Sequence, residues 1–252
     1  MAIFKNKVVL ITGGSAGIGA STAELFAKEG AALAIVGRNE TNLKNVAAIC
    51  DKLGATTLTI NAEVTKDEDL KMIVKKTIEK FGKLDVLVNN VGILTFGSVL
   101  QDNFMETFDK TMNTNMRSSV FLTNLAAPYL VKTKGSIINV SSVVGVSNLG
   151  NSAYLPYSVS KAALDHFTRG AALELLSSGV RVNTVSPGPT KTGIFSKAGV
   201  TSSWDEMSAN FKIPKVMEPE EIGELILYLA SDKARSITGA YYAIDNGTLL
   251  TC

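Results

Sequence analysis

Tyr157 and Lys161 stand four residues apart in Tyr157-Ser-Val-Ser-Lys161, with Ser142 upstream at the end of the run Ile137-Ile138-Asn139-Val140-Ser141. A phenol in water has a pKa of about 10 and is a poor acid or base near neutrality. An ammonium held beside it favours the phenolate and lowers that value. Residues i and i+4 share one face of a helix, so the two side chains can meet if this segment is helical. The run before Ser142 reads as a strand. A hydroxyl at its end could hold a substrate oxygen while Tyr157 moves a proton. The spacing alone also fits an ordinary surface helix, so its meaning depends on the elements around it.

Those elements alternate. Short β-branched runs at Lys7–Ile11, Leu33–Val36, Thr57–Ile60, Val86–Val88, Ser136–Val140, Arg181–Val185 and Tyr241–Ile244 predict strands, several of them apolar on both faces as a buried parallel sheet requires. Helices are expected over Gly17–Glu29, Thr41–Leu53, Asp67–Phe81, Asn103–Val131, Tyr154–Ser177 and Glu220–Ala230, the last with Pro219 at a first helical position. The alternation predicts an α/β fold over residues 1–252: a single Rossmann-type doubly wound domain, its parallel sheet of about seven strands flanked by helices on both faces. One stretch breaks the rhythm. Residues 190–216 mix Gly193, Gly199 and Pro214 with Ile194, Phe195, Trp204, Met207 and Phe211. An irregular apolar segment of that length is expected to form a lid over a bound substrate.

The first strand runs into Thr12-Gly13-Gly14-Ser15-Ala16-Gly17-Ile18-Gly19 and then a helical pattern. Glycines between a first strand and a first helix let the backbone approach a pyrophosphate, and the helix N-terminus supplies free N–H groups. The second strand ends Val36-Gly37-Arg38 without the acidic residue that would bind the 2′-hydroxyl of NAD. Arg38 could instead pair with a 2′-phosphate, so NADP(H) is preferred over NAD(H).

Composition limits the partners. The chain of 252 residues is 46% hydrophobic and 19% charged, with 25 basic against 23 acidic side chains and a net charge of +2. That balance gives no argument for nucleic acid or a membrane surface. No run approaches a membrane span of about 18 residues, and the start leads almost directly into a strand without a signal-peptide pattern. Cys50 and Cys252 make neither a disulfide framework nor a zinc site, so the expected location is cytoplasmic and no metal is expected. His166 is the only histidine; without a G-x-S-x-G elbow it is expected on the surface or in packing.

With these residues in place, the chain resembles the short-chain dehydrogenase/reductase family from end to end. The resemblance is carried by Thr12-Gly13-x3-Gly17-Ile18-Gly19, Asn89-Asn90-Val91-Gly92, Asn115, Ser142, Tyr157-x3-Lys161, Pro187-Gly188-x3-Thr192 and the closing Thr238-Gly239…Asp245-Asn246-Gly247. It implies that Asn115, Ser142, Tyr157 and Lys161 form a catalytic tetrad. Lys161 would depress the Tyr157 pKa and bind ribose hydroxyls, and Asn115 would hold a water in a proton relay. The glycine turn (Gly13, Ser15, Gly17, Ile18, Gly19) would hold the pyrophosphate, Val64 would lie at the adenine, and Asn90 would brace the sheet beside the cofactor. Thr192, with backbone from Pro187, Gly188 and Thr190, would bind the carboxamide. Three positions depart from the family pattern: Val91 for alanine, Glu63 for aspartate before Val64, and Asn246 for glycine.

The implied reaction is reduction of a carbonyl with Tyr157 as general acid. Leu94, Val144, Leu149, Phe195 and Trp204, with neighbours such as Phe96, Val146 and Leu155, are expected to line an apolar substrate pocket. This favours a hydrophobic ketone or aldehyde over a sugar or small acid, and resemblance within the family points to substrates of steroid, isoprenoid or 3-oxoacyl type. An NAD-linked alcohol dehydrogenase and a cofactor-binding regulator of the same fold remain alternatives. By resemblance, a homodimer or homotetramer is expected.

Overall fold

The computed structural model describes residues 2–208 and 216–251. Seven strands are built from the β-branched runs: β1 (Val8–Thr12), β2 (Ala32–Gly37), β3 (Thr57–Asn61), β4 (Val86–Asn89), β5 (Ser136–Val140), β6 (Arg181–Pro187) and β7 (Tyr241–Ile244). They form one parallel sheet in the order β3-β2-β1-β4-β5-β6-β7. The chain winds outward from β1 to β3, returns to the centre at β4, and winds outward the other way. Strand order therefore reverses between β1 and β4, which leaves a crevice beyond their C-terminal ends.

Strand side chains alternate between the faces and so feed two cores. Val9 and Ile11 of β1, with Leu33 and Ile35 of β2, join one core with α1 (Gly17–Lys28) and α2 (Glu40–Lys52). Val8, Leu10, Ala34 and Val36 join the other, with α3 (Asp67–Phe81). Burial on both faces is why these strands read as continuous apolar runs.

The helix expected over Asn103–Val131 forms and runs unbroken from Phe104 to Thr133, but changes pitch on the way. It comprises α4 (Phe104–Met112), a π-helical stretch at Asn113–Arg117, and α5 (Ser118–Thr133). The wider turn turns Thr114 and Asn115 into the interior. Beyond it, α6 (Leu155–Leu175) begins two residues before Tyr157 and carries Pro156 in its first turn.

The 190–216 excursion contains two short helices, α7 (Ile194–Lys197) and α8 (Trp204–Ser208). Residues 209–215 of the expected lid, Phe211 among them, lie outside the described residues, as does the Met207 side chain. The two ends of the excursion are pinned together. Thr190 and Met217 form a parallel bridge, Met217 N–H donates to Pro189 O at 3.0 Å, and Lys191 N–H donates to Met217 O at 2.9 Å. After it, α9 (Pro219–Ala230) completes the first core. Near the end, Asn246 adopts φ +51°, a left-handed conformation that asparagine tolerates better than most residues, in place of the family's glycine. Among the described residues, no helix is long and apolar enough to cross a membrane.

Candidate active site

One cleft of about 730 Å³ runs along the C-terminal ends of the central strands. The turn after β1 forms one part of its wall, through Gly13, Ser15, Gly17 and Ile18. Gly17 has φ +55°, a conformation that favours glycine. Gly19 sits behind the wall, where a β-carbon would collide with the Gly13 carbonyl oxygen. No side chain caps the N-terminus of α1 at Ala16, so its first N–H groups are left to whatever enters the cleft. Bare helix donors beside a side-chain-free turn fit a pyrophosphate.

Asn90 fastens this turn to β4. Its Nδ2 donates to Thr12 O at 2.9 Å and to Gly13 O at 3.3 Å, and its backbone N–H donates to Thr12 Oγ1 at 3.0 Å. Thr12 Oγ1 also accepts from Val91 N–H at 3.2 Å. Pro187, Gly188, Thr190 and Thr192 line the cleft from the β6 side, and Val64 lines it beyond β3. Arg38 lines it too, but its guanidinium is engaged: Nη1 donates to Glu63 Oε2 at 3.1 Å.

At the other end Ser142, Tyr157 and Lys161 converge. Ser142 caps the 3-10 turn Val143–Gly145 that follows β5, its Oγ accepting from Val144 N–H at 3.4 Å. Tyr157 and Lys161 share a face of α6, with the Lys161 Nζ 5.7 Å from the centre of the phenol ring. Lys161 is only 3% exposed, and its ammonium donates to Val140 O at 2.9 Å. Burial drives its pKa down to about 8, against the pull of Asp165.

The tyrosine differs from expectation. Burial pushes the Tyr157 phenol up to about 12; a hydrogen bond with Ser142 works the other way, and nearby Tyr154 adds to the rise. A depression by Lys161 is not seen in the protein alone. The physical reason is that both groups are buried together, and desolvation disfavours the phenolate and the ammonium alike. The phenol is therefore held in its acid form.

Asn115 is wholly buried and stands behind the cleft wall. Its Oδ1 accepts from Ile93 N–H at 2.8 Å, and its Nδ2 donates to Ile93 O at 2.9 Å and Ser160 Oγ at 3.0 Å. The side chain thus ties the loop after β4 to α6, one residue from Lys161.

Leu94 and Val144 pack with Tyr157 in a small buried cluster, with Leu149 and Phe195 against it, and all four line the cleft. Trp204 does not line it. Its ring meets Phe195 edge to face at 5.2 Å, so it backs a wall residue. Phe96, Val146 and Leu155 are also absent from the wall: Phe96 packs on Tyr154, and Val146 is exposed. His166 is exposed, as expected, with Nδ1 3.1 Å from Arg169 Nη2.

Three contributors escaped the sequence reading: Tyr154, which lines the cleft, Ser160, which holds Asn115, and Asp165. Asp165 lies one further turn along the Tyr157–Lys161 stripe, a spacing that would have revealed it. Burial raises its carboxyl to about 6, while Ser141, Lys161 and Arg169 pull it down. The sign follows from linkage. A folded-state pKa above the unfolded value stabilises fully only below about pH 4, and that contribution is lost as pH rises through 6. Asp165→Asn should therefore raise the melting temperature at pH 8, by roughly 2–6 °C, with the gain shrinking toward zero near pH 4. Melting curves across that range test this; a gain independent of pH contradicts it.

Comparison with known proteins places this geometry. A family model described as enoyl-(acyl carrier protein) reductase matches residues 13–248. A 3-oxoacyl-[acyl-carrier-protein] reductase of Thermotoga maritima is 35% identical over 247 residues, covering 98% of this chain and 99% of its own. A Caenorhabditis elegans short-chain dehydrogenase/reductase of unknown function, solved with cofactor, superposes with a TM-score of 0.91 at 37% identity, covering 98% of this chain and 96% of that one. A short-chain dehydrogenase of Burkholderia cenocepacia in complex with NADP gives a TM-score of 0.88 at 31% identity, covering 98% and 99%. Matched along nearly its whole length in sequence and in fold, the chain belongs to the short-chain dehydrogenase/reductase family, nicotinamide-dependent oxidoreductases of alcohol and carbonyl groups.

Proposed function

We propose that this protein is an NADP(H)-dependent reductase of hydrophobic carbonyl compounds, taking a ketone or aldehyde of steroid, isoprenoid or 3-oxoacyl type to its alcohol. The observation that carries the reading is the make-up of one cleft. A bare helix N-terminus and Arg38 line part of it; Ser142, Tyr157 and Lys161 line another, beside Leu94, Val144 and Phe195. The NADP held by the Burkholderia cenocepacia relative supports the same cofactor here.

A bound nicotinamide supplies the hydride for the carbonyl carbon. The chain's own groups handle the oxygen. Negative charge builds there during reduction, and hydrogen bonds from Ser142 Oγ and Tyr157 Oη strengthen as it does. Tyr157 then gives its proton to that oxygen as general acid. The Tyr157 phenol is protonated at neutral pH, as a general acid must be, and burial raises its pKa further. Lys161 holds positive charge beneath the phenol, and Asn115 acts as a positioning residue by fixing Ile93 and Ser160. The apolar wall excludes water, and the described part of the irregular segment, residues 190–208, acts as a lid.

Tyr157→Phe tests the central role. With NADPH and a panel of acyl thioesters, steroids, terpenoid aldehydes and quinones, kcat should fall about 10²- to 10⁴-fold while cofactor affinity changes little. Undiminished turnover would remove Tyr157 from the chemistry.

We also read the active form as a cytoplasmic homodimer or homotetramer, by family likeness, with a small molecule as its substrate and neither nucleic acid nor membrane as partner. Light scattering at micromolar concentration should return a mass at least twice that of the chain; a monomer rejects the assembly.

A further inference from the structure

The registry of β2 and β3 sets Gly37 opposite Asn61, so the chain emerges from both strands side by side with Arg38 and Glu63 just beyond. Both residues line the cleft. Arg38 Nη1 donates to Glu63 Oε2 at 3.1 Å, with side chains 68% and 29% exposed. The carboxylate is held toward the guanidinium by its own backbone surroundings. Glu63 Oε1 accepts from Thr65 N–H at 3.3 Å, and Glu63 N–H donates to Asp69 Oδ2 at 2.7 Å. On the arginine side, Asn61 Nδ2 donates to Arg38 O at 3.3 Å.

A carboxylate so placed offers Arg38 what a 2′-phosphate would offer: negatively charged oxygen at hydrogen-bond distance. A phosphate arriving at Arg38 must displace or share that contact, and it meets a like charge as it does so. A 2′-hydroxyl meets neither obstacle and can donate to the carboxylate instead. We propose that Glu63 is an internal competitor for Arg38 that sets cofactor selectivity, lowering the preference for NADPH and letting NADH compete.

This inference rests on the reading of Arg38 as the 2′-phosphate anchor, so its test reads both residues. Dissociation constants for NADPH and NADH are measured by fluorescence titration for the wild type, Glu63→Gln, Arg38→Ala and the double variant. Partly exposed ion pairs and like-charge repulsion of this kind are each worth a few-fold in binding. Glu63→Gln should tighten NADPH about three- to tenfold and raise the ratio of the NADH to the NADPH constant by a similar factor. The gain should shrink in high salt. Because Glu63 acts mainly by occupying Arg38, the gain should fall to about twofold or less in the Arg38→Ala background, where only the like-charge repulsion remains. An equal gain in that background overturns the proposal, because Glu63 would then act on the phosphate by repulsion alone. Unchanged or weakened NADPH binding in Glu63→Gln overturns it too. If Arg38→Ala leaves NADPH affinity intact, the anchor itself is wrong and the inference falls with it, an outcome distinct from a failure of Glu63 alone.

Discussion

The Lys161 ammonium donates to the carbonyl of Val140, the last residue of β5. Few positions in a protein tolerate a charge so far from water, because desolvation penalises it heavily. The surroundings are shaped to make it tolerable. A strand end supplies an acceptor, and Asp165 supplies opposite charge from the next turn of α6. Around this group the other parts take their positions. Ser141 Oγ donates to Lys161 O at 3.3 Å, which fixes α6 on β5 and sets Ser142 opposite Tyr157.

Burial has a cost in acidity as well as in stability. The same dry environment lowers the lysine to about 8 and raises the phenol to about 12. The tyrosine is left as a proton donor. The two ends of the cleft thus have different physics. The Tyr157 end is buried and apolar, where single hydrogen bonds count for much. The Arg38 end is open, where charges are screened and selectivity is a matter of few-fold differences.

Much of this was legible in the sequence, for identifiable reasons. Strands buried on both faces announce themselves as apolar runs, so Ser136–Val140 and Tyr241–Ile244 appear with their bounds unchanged. The glycine turn and the Tyr157–Lys161 spacing were legible because backbone geometry and helical periodicity restrict residue choice locally. What stayed hidden depends on contacts between distant segments. The π-helical stretch at Asn113–Arg117 comes with hydrogen bonds from Asn115 to Ile93 and Ser160, partners far away in sequence. Trp204 looked like a pocket residue by type, yet Phe195 stands in front of it. Arg38 looked like a free cation because the register that brings Glu63 beside it belongs to the sheet.

The central claim is that one cleft brings a reduced nicotinamide and a carbonyl together over Tyr157. The most direct measurement uses NADPH carrying deuterium at both C4 positions of the nicotinamide, followed by mass spectrometry of the alcohol formed from a ketone that the enzyme turns over. The account predicts one deuterium per product molecule, on the carbinol carbon. Product formed without that label would contradict it.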